Sequence, residues 1–151
     1  MQVREILRVK GSALFTTTPQ TPLTDAVAAM AEHDTGSLVV MSSGKMVGML
    51  TFREVLRATH RGAGNIHGVL VGEVMVQDPE TAGPEMEAND LRRLLIERHM
   101  RYLPVMEDNM LLGVVSFLDV AKAVLEEQGL ENMLLKNYIK NWPDENGRSV
   151  S

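Results

Sequence analysis

Two short strings hold the residue types that could do chemistry. Gly48-Met49-Leu50-Thr51-Phe52-Arg53-Glu54 and Gly113-Val114-Val115-Ser116-Phe117-Leu118-Asp119 share the form Gly-apolar-apolar-Ser/Thr-x-x-Asp/Glu. A hydroxyl with an acid three residues on is a capping box: the hydroxyl caps a helix and the acid returns a bond to the backbone. The same groups could hold a ligand. A helix N-terminus presents unpaired N–H groups and partial positive charge, which suit a phosphate. A hydroxyl there can bond a phosphate or ribose oxygen, and an acceptor-only carboxylate one turn inward can take both hydroxyls of a ribose diol. Glycine six residues before the acid lets the backbone pass close to a neighbour. The capping reading and the ligand reading both stand for each string.

The strings are parts of a longer repeat. Gly113 minus Gly48 and Asp119 minus Glu54 both give 65, and sliding Pro22–Leu56 onto Glu87–Ala121 needs no gap. The alignment pairs Asp25 with Asp90, Glu32 with Glu97, Leu38 with Leu103, Val40 with Val105, Met41 with Met106, Gly48 with Gly113, Phe52 with Phe117 and Val55 with Val120, 8 identities over 35 positions. Chance at ordinary composition gives roughly two. Upstream, Val3-Arg4-Glu5-Ile6-Leu7 matches Val71-Gly72-Glu73-Val74-Met75 at an offset of 68. The chain is two copies of one unit.

Each copy must position its string with the same elements. Leu23, Ala26, Val27 and Met30 fall at helical spacing over Leu23–His33, and Ala88, Leu91, Leu94 and Leu95 repeat this over Ala88–His99. Leu38–Met41 and Leu103–Met106 are short apolar runs that suit strands buried on both faces. Turn chemistry at Ser42–Lys45 and Glu107–Asn109 leads into second strands, Met46–Leu50 and Met110–Val115. Helices are expected over Phe52–His60 and Phe117–Gln128, and short leading strands near Leu14–Thr17 and Gln77–Ala82. The expected fold class is α/β (α+β): two pseudo-symmetric units, each strand-helix-strand-strand-helix, packed sheet to sheet around a pseudo-twofold axis with two equivalent clefts. The expected divisions are unit 1 over 1–61, a linker over 62–70, unit 2 over 71–128, a C-terminal helix over 129–142 after a break at Gly129, and a disordered tail over 143–151.

Composition narrows the classes. The 151 residues carry 15 basic and 20 acidic side chains, net −5, against the basic excess of a nucleic-acid platform. Cysteine is absent, which removes disulfides, zinc-thiolate sites and thiol catalysis. With 4% aromatic residues and 11 methionines, the core must be aliphatic. No apolar run approaches the ~20 residues of a membrane span, and no secretory signal pattern opens the sequence. A cytoplasmic protein is expected, with no nucleic-acid or membrane partner.

The sequence resembles a tandem pair of cystathionine-β-synthase (CBS) domains, a Bateman module. The resemblance rests on Val71-Gly72-Glu73-Val74-Met75, Leu103-Pro104-Val105 and both Gly-x-x-Ser/Thr-x-x-Asp/Glu strings, and covers about residues 3 to 126. Lys10-Gly11, Met100–Asp108 and Leu135–Ile139 further resemble small stand-alone CBS-pair proteins. The resemblance implies adenosine-containing ligands (AMP, ADP, ATP, S-adenosylmethionine, sometimes NADH) in the inter-repeat clefts. It also implies no obligatory cofactor and a disc-shaped homodimer. Carried over by position, Asp119 holds the ribose hydroxyls, Ser116 a phosphate or ribose oxygen, and Arg101 faces phosphate beside Tyr102. Gly11, Ser12 and Phe15 line the adenine pocket with Thr35 and Gly36. Thr51, Arg53 and Glu54 mark the other cleft, lined by Val76, Gln77 and Met100.

Two departures set the clefts apart. Glu54 replaces the usual Asp, and its extra methylene displaces the carboxylate. Gly36 stands where Arg101 stands in the second copy, although Arg53 or Arg57 could supply charge. One competent site around Asp119 and one weak or empty site are expected. No metal or catalytic set emerges from His33, His60, His67 and His99, and no His-Glu-x-x-His string is present. The sequence therefore points to a regulatory sensor acting in trans on another protein. The alternative is a ligand-free dimerisation module, which the Leu130–Tyr138 stripe could serve.

Overall fold

The computed structural model describes residues 1–11 and 13–140, the side chain of Lys140 excepted. Ser12 and the expected tail over 143–151 lie outside the described residues, as does the end of the expected C-terminal helix. The described order is α1 (Val3–Lys10), β1 (Thr16–Thr17), α2 (Leu23–Glu32), β2 (Ser37–Ser42), β3 (Lys45–Thr51), α3 (Phe52–Arg61), α4 (Val71–Val74), β4 (Val76–Gln77), α5 (Ala88–Glu97), β5 (Tyr102–Glu107), β6 (Met110–Ser116) and α6 (Phe117–Lys140).

The repeat recurs in the backbone. Both hairpins turn through two residues of positive φ, Ser43 and Gly44 in one and Asp108 and Asn109 in the other, as tight hairpins that match strand twist require. Both carry an irregularity at the same place, between Val40 and Met41 and between Val105 and Met106. Phe52 N–H donates to the Gly36 carbonyl and Phe117 N–H to the Arg101 carbonyl, at 3.2 and 2.7 Å.

Each copy has its own aliphatic core. Leu23, Ala26, Met30, Leu38, Val40 and Leu50 are buried in the first, and Ala88, Leu91, Leu95, Leu103, Val105 and Val115 in the second. Leu23 and Ala26 correspond to Ala88 and Leu91, so one large and one small side chain trade places and the filled volume is kept. Burial of each leucine contributes about 2 kcal/mol.

The opening helices cross over. Val3 and Ile6 of α1 are buried in the second core, whereas Val71 of α4 is buried in the first. Matched bonds fix both: Val3 N–H to the Met86 carbonyl and Val71 N–H to the Thr21 carbonyl, each 2.9 Å. The glycines of the repeat make room for this. A Cβ at Gly48 would meet Met75 Sδ at 2.7 Å, and one at Gly113 would meet Leu7 Cδ2 at 3.0 Å.

Two expectations need correction. The strand expected over Gln77–Ala82 is split: Val76–Gln77 joins the first copy's sheet beside β3, and Ala82 makes a single parallel bridge to Val105. The strand edge freed by Gly48 captures the chain before it reaches the second copy. Nor does Gly129 break a helix, since α6 runs through it to Lys140. One interior glycine costs about 1 kcal/mol relative to alanine, and the good helix formers Leu130, Glu131, Met133, Leu134, Leu135 and Lys136 follow it.

Candidate functional site

Both strings lie at strand-to-helix junctions, β3 into α3 and β6 into α6, and both form capping boxes. Glu54 Oε1 accepts from Thr51 N–H at 2.9 Å and from the Thr51 hydroxyl at 2.7 Å, and Thr51 Oγ1 accepts from Arg53 N–H at 3.3 Å. Asp119 Oδ2 accepts from Ser116 N–H at 2.9 Å, and Ser116 Oγ accepts from Asp119 N–H at 3.0 Å. The glutamate's extra methylene lets it fold back onto its own cap, where Glu54 is buried. Asp119 is half-buried, and its Oδ2 also takes Lys10 Nζ at 2.7 Å.

Two cavities lie between the copies, each joining a helix N-terminus of one copy to a helix C-terminus of the other. The first, about 660 Å³, is lined by Thr51, Phe52, Arg53 and Glu54 and, across the gap, by Arg98, His99 and Met100. The second, about 650 Å³, is lined by Ser116, Phe117 and Leu118 and, across the gap, by His33, Asp34 and Thr35. Either volume is in the range of small-molecule sites.

Most sequence-derived residues converge on these cavities. Thr51, Arg53, Glu54, Val76 and Met100 line the first, and Gln77 does not. Ser116, Arg101, Tyr102, Phe15, Thr35 and Gly36 line the second, whereas Gly11 and Asp119 are not in its wall. Gly11 ends α1 at φ 96. Arg101 and Tyr102 line both cavities, so the clefts share a wall. Gly36 admits that wall, because a Cβ there would overlap the Tyr102 hydroxyl and lie 2.6 Å from Phe52 Cε2. His33 and His99 are not matched helix ends: His33 caps α2, whereas Arg98 caps α5 and His99 follows it at φ 53.

The clefts hold different charges. In the first, Arg53 Nη2 donates to the His99 carbonyl at 2.9 Å and Arg98 pairs with Glu80 at 3.2 Å, with Asp78 also in the wall. In the second, Leu118 replaces Arg53, Phe15 stacks on His33 at 4.1 Å, and Lys10 is added to the shared Arg101. Burial pushes the Asp119 carboxyl upward. Hydrogen bonds from Lys10 and the Ser116 backbone, with the Lys10 charge, outweigh burial and hold it below its usual value. The repeat strings did not identify Lys10, Asp78, Glu80 or Arg98 as site residues. Two basic residues in the last turn of α1 were the available signal for Lys10.

The CBS domain profile matches this chain twice, over residues 3–61 and 71–126. The chain belongs to the CBS domain family. The mitochondrial CBS domain-containing protein CBSX3 of Arabidopsis thaliana is 33% identical over 135 residues, which cover 86% of this chain and 65% of that protein, just under two thirds of its length. Among solved structures, the CBS-domain protein ATU1752 of Agrobacterium tumefaciens superposes with a TM-score of 0.77 at 26% identity, over 82% of this chain and 98% of that one. The CBS domain pair of protein MJ0100, solved with methylthioadenosine and S-adenosyl-L-methionine, shares the fold at a TM-score of 0.73 and 18% identity, over 84% and 98% of the two chains. The two CBS domains of this chain thus enclose both cavities, and among the described residues no helix is long and apolar enough to cross a membrane.

Proposed function

We propose that this CBS pair is a regulatory module that binds an adenosine-containing ligand between its two copies and signals in trans to a partner protein. The observation that carries the reading is the second cavity, which brings Ser116 and the α6 N-terminus against Arg101, Thr35 and Phe15. Asp119 supplies a carboxylate for the ribose diol, Ser116 and Arg101 meet phosphate, and Phe15 lies where an adenine ring can stack. The ligand complex of MJ0100 supports adenosyl chemistry for this class of module. The Glu54 cleft is the weaker one, because its carboxylate is spent on its own cap. A ligand spanning a cleft ties the copies together, and linkage lets a partner read the change.

A homodimer and a cytoplasmic setting belong to the same reading, with no catalytic step and no obligatory cofactor. Exposed Leu56, Leu118 and Leu125 support pairing with a second copy, as does α6 from Gln128 to Ile139, where every residue is exposed. That exposed run also favours the second reading, a ligand-free dimerisation module. Thermal-shift and calorimetric titration with AMP, ADP, ATP, S-adenosylmethionine and NADH separate the two. A ligand at ~100 times its dissociation constant adds about 2.7 kcal/mol of stability. Binding to wild type that is lost in Asp119→Ala and kept in Glu54→Ala supports the sensor; no shift with any compound leaves the dimerisation module.

A further inference from the structure

The second cleft contains an ion pair that its counterpart lacks. By the repeat, α1 and α4 are equivalent, yet α4 ends at Val74 and the chain turns into β4, whereas α1 continues to Lys10. The sequences explain this. Val76 and Gln77 follow α4 and pair along the edge of β3. After Leu7 come Arg8, Val9 and Lys10, whose basic side chains favour a helix C-terminus, and then Gly11, which supplies the positive φ that ends it. The longer helix delivers Lys10 Nζ to the Val114 carbonyl at 2.8 Å and to Asp119 Oδ2 at 2.7 Å. Lys10 is in the wall of the cavity and Asp119 is not. The ammonium group therefore occupies Oδ2, one of the two carboxylate oxygens that a ribose diol needs.

We infer that Lys10 is an exchangeable counter-ion of Asp119 that makes this cleft select adenosyl ligands bearing an anionic group. This rests on the adenosyl reading of the cleft and deepens it. A neutral nucleoside whose diol takes both oxygens of Asp119 must displace Lys10 from Oδ2 and leaves the ammonium group without a partner anion. A nucleotide brings its own partner: the ribose takes Asp119 while a phosphate takes Lys10, with Arg101 in the same wall. One charged pair is exchanged for two charge-assisted contacts. No such exchange is built into the first cleft. There Arg53 and Arg98 are tied to the His99 carbonyl and to Glu80, Glu54 is bound by Thr51, and Arg101 belongs to both walls, so among the described residues the first cleft has no counterpart of Lys10.

The test is calorimetric titration of wild type and Lys10→Met with adenosine, AMP and ATP. Lys10→Met is expected to bind adenosine roughly threefold more tightly and AMP or ATP roughly tenfold more weakly, the range of one charge-assisted contact. Opposite signs are the signature; a variant that only loosens the fold moves all three ligands the same way. Parallel changes, or none, with binding otherwise intact would overturn the role of Lys10 alone. If wild type and variant bind none of the three, the adenosyl reading and this inference both fall. Lys10→Arg, which keeps the charge, is expected to retain the preference for phosphate.

Discussion

The two clefts start from one sequence pattern and end with different partners for the same capping carboxylate. In the first, Glu54 turns back onto Thr51, Arg53 is anchored to the His99 carbonyl, and Asp78, Glu80 and Arg98 add charges of both signs to the wall. In the second, Asp119 Oδ2 accepts from the Ser116 backbone and also takes Lys10. Both acids cap their own helices, and the second also takes a lysine because α1 runs one turn further than α4. Duplication supplied two equivalent places, and small local changes gave each its own electrostatics.

The largest effect is expected where the first copy is given the second copy's residue. Gly36→Arg, which copies Arg101, drives side-chain atoms into Tyr102 and Phe52. It is expected to destabilise the chain by about 2–3 kcal/mol, a fall of roughly 5–10 °C in thermal denaturation. Removing each capping acid comes next. Glu54→Ala leaves the Thr51 N–H and hydroxyl without their acceptor and is expected to cost about 1–2 kcal/mol by denaturant unfolding. Asp119→Ala should cost about 1 kcal/mol or less, because Asp119 is the more exposed. An equal loss from both would mean the two acids are equivalent.

Untying the first cleft sharpens the contrast at lower energy. Arg53→Met removes the Nη2 bond to the His99 carbonyl and is expected to lower stability by about 0.5–1 kcal/mol. It should also raise amide exchange at the C-terminus of α5, while the corresponding end of α2 stays unchanged. The smallest effect is in acid. Because Asp119 titrates below its usual value when folded, its contribution is complete above the unfolded value and is lost as pH falls through the lowered one. Lys10→Met should move the carboxyl titration of Asp119, followed by NMR, upward, and acid unfolding should begin at higher pH. An unmoved titration would show that Lys10 does not hold Asp119 in solution.

Much of this was legible in the chain. Hairpin positions, the helix starts after Thr51 and Ser116, and the capping acids follow from patterns within four residues. The equivalence of the copies follows from the alignment at 65. The glycines at 48 and 113 are readable as places of close approach, but the neighbour that approaches is not. Gly129 misleads as a stop because a glycine permits a helix end without imposing one: α1 ends at Gly11 with φ 96 and α3 at Gly62 with φ −88, whereas α6 runs through Gly129.

The repeat, the order of elements, the CBS resemblance and the two candidate strings are local matters, since turn chemistry and apolar period act over short stretches of chain. Long-range packing sets which core each opening helix enters, puts Tyr102 in the space beside Gly36, and brings Lys10 to Asp119 across 109 residues of sequence. Those outcomes depend on the direction in which distant segments arrive. That direction is set by the burial of each opening helix in the other copy's core and not by any residue's neighbours in the chain.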